Sequence, residues 1–179
     1  MGTDYEKSEN KSNNPYSPGC RSVDDAPAYA QTKISIVSAT GSGGVLAFVQ
    51  DPANNERVPL ESIWASRKQA DIYFAVVKDG YTGWSGVYGE VVGVGFIRGF
   101  ADNWDEKVFG MVVGKNYGHM GIGTLILQTA HVAAKMRGLK HLRLHVDLHN
   151  KCALDLYDKF GFVHQGEREN GEWIMRKAL

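Results

Sequence analysis

The sequence predicts an α+β fold, a mixed and mostly antiparallel sheet with helices on both faces. Three observations carry this. Two runs rich in β-branched and aromatic residues, 72–77 (IYFAVV) and 91–97 (VVGVGFI), follow one another with no helical pattern between them. A third apolar run, 108–113, stops at Gly114. It passes through a turn holding Gly118, Gly121 and Gly123 into a segment of helical spacing, 125–137. The chain then returns through an alternating strand, an amphipathic helix and two short strands joined by a charged turn.

Taken in order, residues 1–30 are polar, with few large aliphatics, and are expected to form a mobile tail before a single domain, 31–179. Residues 33–38 (KISIVS) alternate and read as the first strand. Residues 39–44 form a Ser/Gly turn, and 45–50 a short helix stopped by Asp51-Pro52. Leu60, Ile63 and Trp64 share one helical face, with Pro59 near its start. Residues 79–89 (DGYTGWSGVYG) form a loop longer than a hairpin needs, carrying Tyr81, Trp84 and Tyr88 between glycines. These aromatics either cover the core edge or form one wall of a substrate pocket. A second loop, 99–106, carries Asp102, Trp104, Asp105 and Glu106.

Gly138 follows the long helical segment and suits the left-handed position that ends a helix. In 141–147, Leu142, Leu144 and Val146 take one face; His141, Arg143, His145 and Asp147 take the other. Asn150 is a good N-cap for a helix bearing Ala153, Leu154, Leu156, Tyr157 and Phe160, ended by Gly161. Residues 162–164 and 173–175 read as a closing hairpin around the charged turn 167–171.

The length of 179 residues suits one domain with a sizeable core. Lys plus Arg and Asp plus Glu both number 20, so no global field recruits nucleic acid or an anionic membrane. Cys20 and Cys152, far apart, indicate neither a disulfide framework nor a zinc site and fit a reducing, cytoplasmic setting. No apolar run is long enough to span a bilayer, and the first residues show no signal-peptide core. Met1-Gly2 opens like a myristoylation site, but Glu6 stands where Ser or Thr is needed. His141, His145 and His149 have the spacing of metal ligands on a helix. The Leu/Val alternation makes this segment a strand instead, which takes His149 off the shared face, so no metal is expected.

The strand, glycine turn and helix have a chemical use. The first amides of a helix lack intrahelical partners and lie at the positive end of its dipole, and glycines let a phosphate approach them. A pyrophosphate could thus be held by backbone alone; a tight turn between packed elements is the plain alternative. The turn is not a P-loop, because no Lys follows a glycine there in the spacing G-x-x-x-x-G-K-[ST]. Nor is it a dinucleotide fingerprint, because Gly118, Gly121 and Gly123 reverse that spacing.

Residues 117–124 (YGHMGIGT) and 144–162 (LHVDLHNKCALDLYDKFGF) together resemble the GNAT superfamily of acyl-CoA-dependent N-acyltransferases. The family's first motif is R/Q-x-x-G-x-G/A, opening a helix after a strand. Its second is roughly V-x-x-x-N-x-x-A-x-x-L-Y-x-x-x-G-F, and from Val146 to Phe162 every fixed position is matched. The resemblance covers 108–179 in detail and extends back to Lys33 as element order. The first motif departs at Gly118, where the family has Arg or Gln. An Arg-to-phosphate contact is charge-assisted and strong, so its loss implies weaker binding or a substitute cation such as His119 or Lys115.

The resemblance implies acetyl-CoA as co-substrate, no metal, and a GNAT-like fold. It places acyl-CoA between two splayed parallel strands, 108–113 and 142–146. Met111, Val112 and Val113 would pair with the pantetheine arm. Gly118, His119, Met120, Gly121, Ile122, Gly123 and Thr124 would surround the pyrophosphate, and Asn150 would bond the pantetheine side. It makes Tyr157 the acid that protonates the leaving thiolate. A phenol of pKa about 10 suits a thiolate of pKa about 8.5; a core Tyr at helical spacing is the alternative. The attacking amine must first be neutral, and Glu106, Asp105, Glu90 and His145 are candidate bases, with Glu106 taken first. By loop position, and not by the resemblance, Tyr81, Trp84 and Tyr88 are assigned to the acceptor, together with Trp64 and Trp104. The function implied is transfer of acetyl from acetyl-CoA to a primary amine of a small molecule. Peptide or protein amines, or an acyl-CoA-binding module without turnover, are the other readings. No nucleic-acid or membrane partner is expected; family members are often dimers, so the resemblance allows a homodimer without requiring one.

Overall fold

The computed structural model describes residues 34–38, 43–56, 58–83 and 86–179. The expected tail, 1–30, and most of the first Ser/Gly turn lie outside them. The elements run β1 (Ile34–Ser38), α1 (Gly43–Gln50), α2 (Leu60–Ala65), β2 (Ile72–Gly83), β3 (Gly86–Arg98), β4 (Val108–Val113), α3 (Ile122–Met136), β5 (His141–Asp147), α4 (Lys151–Lys159), β6 (Val163–Glu167) and β7 (Glu172–Ala178). One seven-stranded sheet has the order β1-β2-β3-β4-β5-β7-β6. Every neighbouring pair is antiparallel except β4 and β5, which are parallel. A parallel pair needs a long crossover, and α3 supplies it.

Strand alternation sends side chains to two apolar layers. On one face, Phe109, Leu142, Leu144, Val146 and Met175 pack with Ile126, Leu127, Ala130 and Ala134 of α3 and Tyr157 of α4. On the other, Tyr73, Ala75, Val77, Val94 and Phe96 pack with Val45, Phe48 and Val49 of α1 and Leu60 and Trp64 of α2. Helices therefore cover both faces, as the sequence predicted. Two glycines set how closely the layers approach. A Cβ on Gly95 would stand 2.4 Å from Phe74 Cζ and 2.7 Å from Ile126 Cγ2, and one on Gly110 would stand 2.3 Å from Phe96 Cζ.

Two expectations need correcting. Residues 79–89 are not a long loop: β2 continues to Gly83 and β3 begins at Gly86, with Tyr81 opposite Tyr88 and Gly83 opposite Gly86. The glycines that looked like breakers are absorbed by an irregularity between Lys78 and Tyr81, where Asp79 has φ 53, and by Gly89 at φ 136. The helix after β4 also begins earlier than Leu125, at Ile122. Gly123 and Thr124 are thus in its first turn, where a helix has not yet made its own N–H bonds and weak helix formers are tolerated.

Candidate functional site

Parallel β4 and β5 pair only at Val108↔Arg143 and Phe109↔Leu144. Beyond Phe109, β4 continues to pair with β3 up to Val113, and β5 with β7 up to Asp147. Each strand keeps its outer ladder while the two inner edges part. Residues 110–113 and 145–147 thus form the walls of a wedge. Backbone groups alternate across a strand, so half of those on each wall face this wedge.

The wedge opens toward the turn after β4. Gly114 donates its N–H to Val92 O at 2.9 Å, and residues Lys115–Tyr117 make one 3-10 turn. The Tyr117 hydroxyl bonds Glu90, whose carboxylate lies 3.7 Å from Lys78. Lys115 pairs with Glu56 at 3.5 Å across exposed surface. His119 is left-handed at φ 62, a region few non-glycine residues occupy. Gly121, at φ 80, is the N-cap of α3 and offers no side-chain cap. The first turn holds no acidic residue, so the leading amides of α3 meet no carboxylate of their own. Gly123 fixes the depth: a Cβ there would lie 3.3 Å from Leu156 Cδ2, 3.7 Å from Met111 Cε and 3.8 Å from Val113 Cγ2. The start of α3 therefore sits over the β4 wall and against α4.

On α4, the Asn150 side chain accepts from Ala153 N at 3.3 Å, the expected cap. Tyr157 is buried, its ring 5.7 Å from that of Phe162. Burial pushes its hydroxyl well above the ordinary phenol range, because a phenolate would be poorly solvated there. The hydroxyl is therefore protonated at neutral pH and is a weaker acid than an exposed phenol.

The opposite face of the sheet carries an open recess lined by Trp104, Asp105, Glu106, Val108, Arg143 and His145. Leu142, Leu144 and Val146 are buried toward α3 and α4, so alternation turns Arg143 and His145 this way. Glu106 Oε1 lies 2.6 Å from Arg176 Nε, and its Oε2 lies 3.7 Å from Arg143. The His145 Nε2 is enclosed without a hydrogen-bond partner among the described residues. Its pKa is lowered, first by burial, then by Arg168 and Arg143, with Glu172 opposing. The loop carrying Trp104 and Glu106 is anchored by buried Asp71, whose Oδ1 accepts from Gly99 N at 3.0 Å and Phe100 N at 2.9 Å.

The residues singled out in the sequence thus separate into groups. Met111, Val112, Val113, the turn 118–124, Asn150 and Tyr157 lie on elements that border the wedge. Glu106 lies on the other face, in the recess. Glu90 is engaged by Tyr117 and Lys78. Tyr81 and Tyr88 oppose one another in the β2–β3 arm, and Trp84 lies outside the described residues. Asp71 and Arg176 were missed. An Asp before an apolar run looks like any turn residue, and nothing local marks Arg176 as a partner of Glu106. Among the described residues no group of three or more His, Cys, Asp or Glu could hold a metal ion, and no helix is long and apolar enough to cross a membrane.

The acetyltransferase (GNAT) family model matches residues 46–162. No curated protein matches the sequence. Solved structures share the fold. A domain from Methanocaldococcus jannaschii is 19% identical with a TM-score of 0.64, covering 83% of this chain and 99% of that one. An acetyltransferase of the GNAT family from Streptococcus pneumoniae is 22% identical with a TM-score of 0.62, covering 82% and 100%. The ribosomal-protein-S18-alanine N-acetyltransferase from Escherichia coli is 16% identical with a TM-score of 0.60, covering 82% and 94%.

Proposed function

The chain belongs to the GNAT acetyltransferase family, and from that premise we propose that it moves the acetyl group of acetyl-CoA onto the primary amine of a small molecule. The family uses acetyl-CoA as co-substrate. The observation that carries the assignment of the site is the parting of β4 and β5 after two pairs. An extended pantetheine arm carries amides of its own and can complete the unpaired edge of Met111, Val112 and Val113 as an added strand. The pyrophosphate would then reach the N-terminus of α3 at Gly121, Ile122, Gly123 and Thr124, with Gly118, His119 and Met120 around it. Asn150 would stand beside the pantetheine.

In this reading Tyr157, protonated at neutral pH, donates its proton to the departing sulfur as charge develops there. Glu106 acts on the acceptor side by holding Arg143 and Arg176, since both its oxygens face guanidinium groups. A small acceptor fits the balance of 20 basic and 20 acidic residues, which sets up no strongly charged field.

Calorimetry of acetyl-CoA on the wild type and on Tyr157→Phe tests this, followed by thioester consumption with a panel of small amines and peptides. Both proteins should bind acetyl-CoA alike, and the variant should turn over roughly a hundredfold more slowly, within the range of acid catalysis. Binding without consumption by any amine would overturn the transferase reading in favour of a sensing module. Consumption with peptides alone would overturn the small-molecule assignment.

A further inference from the structure

The recess and the wedge meet where β4 and β5 part, on opposite faces of the sheet. We propose that the recess bounded by Trp104, Asp105, Glu106, Val108, Arg143 and His145 receives the acceptor as an ammonium ion, and that His145 takes the proton it must lose. This rests on the acetyl-transfer reading above and adds the acceptor's place and its base.

Position comes first. Leu144 makes the last pair with β4, so His145 is the first β5 residue beyond the fork. Its backbone borders the wedge, while its side chain lines the recess. An amine seated there lies next to the reacting end of an acyl chain threaded between the strands. The lining also fits a cation. Asp105 is acidic and exposed, and Trp104, 41% exposed, offers a π-face of the kind that binds ammonium groups.

Among the lining groups, His145 is the one fit to take a proton. Glu106 is held between Arg143 and Arg176, Asp105 is exposed and serves the ammonium as its counter-ion, and Val108 is apolar. The imidazole is half-buried: its Nε2 is enclosed and unpartnered among the described residues, and the ring meets the recess through its other nitrogen. Facing His145 are Arg143 on its own strand, Arg168 in the β6–β7 turn, Glu172 on β7, and Asp105 and Glu106 from the loop before β4. Burial and the two arginines keep the ring neutral at pH 7, and they favour release of the proton once it has been taken.

The atoms balance. The ammonium gives one proton to His145, and its freed lone pair forms the N–C bond at the thioester carbonyl carbon as the C–S bond breaks. The departing sulfur takes the Tyr157 proton. The second nitrogen proton leaves to solvent, which reprotonates Tyr157, and His145 discharges its own proton to solvent. An ammonium and a thioester become an amide, a thiol and one released proton.

The test follows thioester consumption with a primary alkylamine active in the panel, from about pH 5.5 to about pH 10. Wild type, His145→Gln and His145→Asn are compared, with acetyl-CoA affinity read by calorimetry. Both variants should keep the wild-type Kd. At neutral pH, kcat/KM should fall roughly 100-fold, as expected on loss of a general base. That deficit should close toward pH ~10, where the amine is neutral without help. A merely structural role would give a deficit constant across pH, and that result, or a variant as active as wild type at pH 7, overturns the proposal. Wild type alone offers a second check: absence of any ionisation limb in kcat/KM below pH ~7 also overturns it. Wild type that binds acetyl-CoA but consumes it with no amine would instead overturn the acetyl-transfer reading itself.

Discussion

The Glu106 carboxylate meets the Arg176 guanidinium at 2.6 Å, Oε1 to Nε. This contact ties the loop before β4 to β7, across the intervening β5. Arg143 of β5 approaches the same carboxylate at 3.7 Å, so one acidic group spans three elements beside the fork. All three side chains are about one-third exposed, and screening by water limits the pair to about 0.5–1 kcal/mol.

Glu106→Gln should therefore lower stability by about 1 kcal/mol or less, read by urea unfolding. Its kinetic effect should fall on KM for the amine, because two freed guanidinium groups repel an ammonium. The acidic limb of the pH profile should survive. Loss of that limb in Glu106→Gln would make Glu106 the base.

Gly118 does not need to be glycine. Its φ of −60 and ψ of 149 suit any residue, and a Cβ there meets nothing within 4 Å. Gly118→Arg should tighten acetyl-CoA binding by about tenfold by calorimetry, since a hydrogen bond to a charged group contributes about 1.5–3 kcal/mol. Gly118→Ala should leave affinity unchanged. Gly121, at φ 80, is different: Gly121→Ala should strain the helix start and weaken binding.

Asp71→Ala leaves the amides of Gly99 and Phe100 without their acceptor. Stripping a buried group of its partner costs about 1–3 kcal/mol. The expected result is a lower thermal midpoint, with amide exchange accelerated in residues 99–106 more than in α3. Uniform acceleration would assign Asp71 to general stability rather than to holding this loop.

The pKa values of His131 and His145 are both lowered, with burial the largest cause in each. The sign of the linkage is fixed by that direction. Above about pH 6.5 both states carry neutral rings and lose nothing. Below it the unfolded chain takes up protons that the folded chain resists, so stability falls as pH drops until the folded pKa is passed. Denaturant midpoints should decline on acidification from pH ~7 to pH ~5.5, and less steeply in His145→Gln. His131 would carry the remainder.

What the sequence made legible was local. Asn150 caps α4 through Ala153 N, and Gly138 and Gly161 end α3 and α4 with φ of 73 and 82, because such signals act within a turn or two. The alternation of 141–147 showed which face each residue takes. The bulged arm of β2 and β3 was not legible: its glycines carry the same signal in a loop as in an irregular ladder. Arg176 and Asp71 act across long sequence separations, where the pairing of β5 with β7 and the path of loop 99–106 decide what meets. The Arg176–Glu106 contact beside the recess likewise exists only because β7 adds beside β5.

The sheet order also bears on when the protein becomes able to bind. β5 shares two pairs with β4 but pairs along its whole length, His141 to Asp147, with β7. One wall of the wedge therefore hangs from a strand translated after it. On the ribosome, a nascent chain that has emerged only through α4 has a β5 whose long ladder is unmade, so the wedge has one firm side. Clipping within Glu172–Ala178 should abolish acetyl-CoA binding while β1 to β4 remain paired.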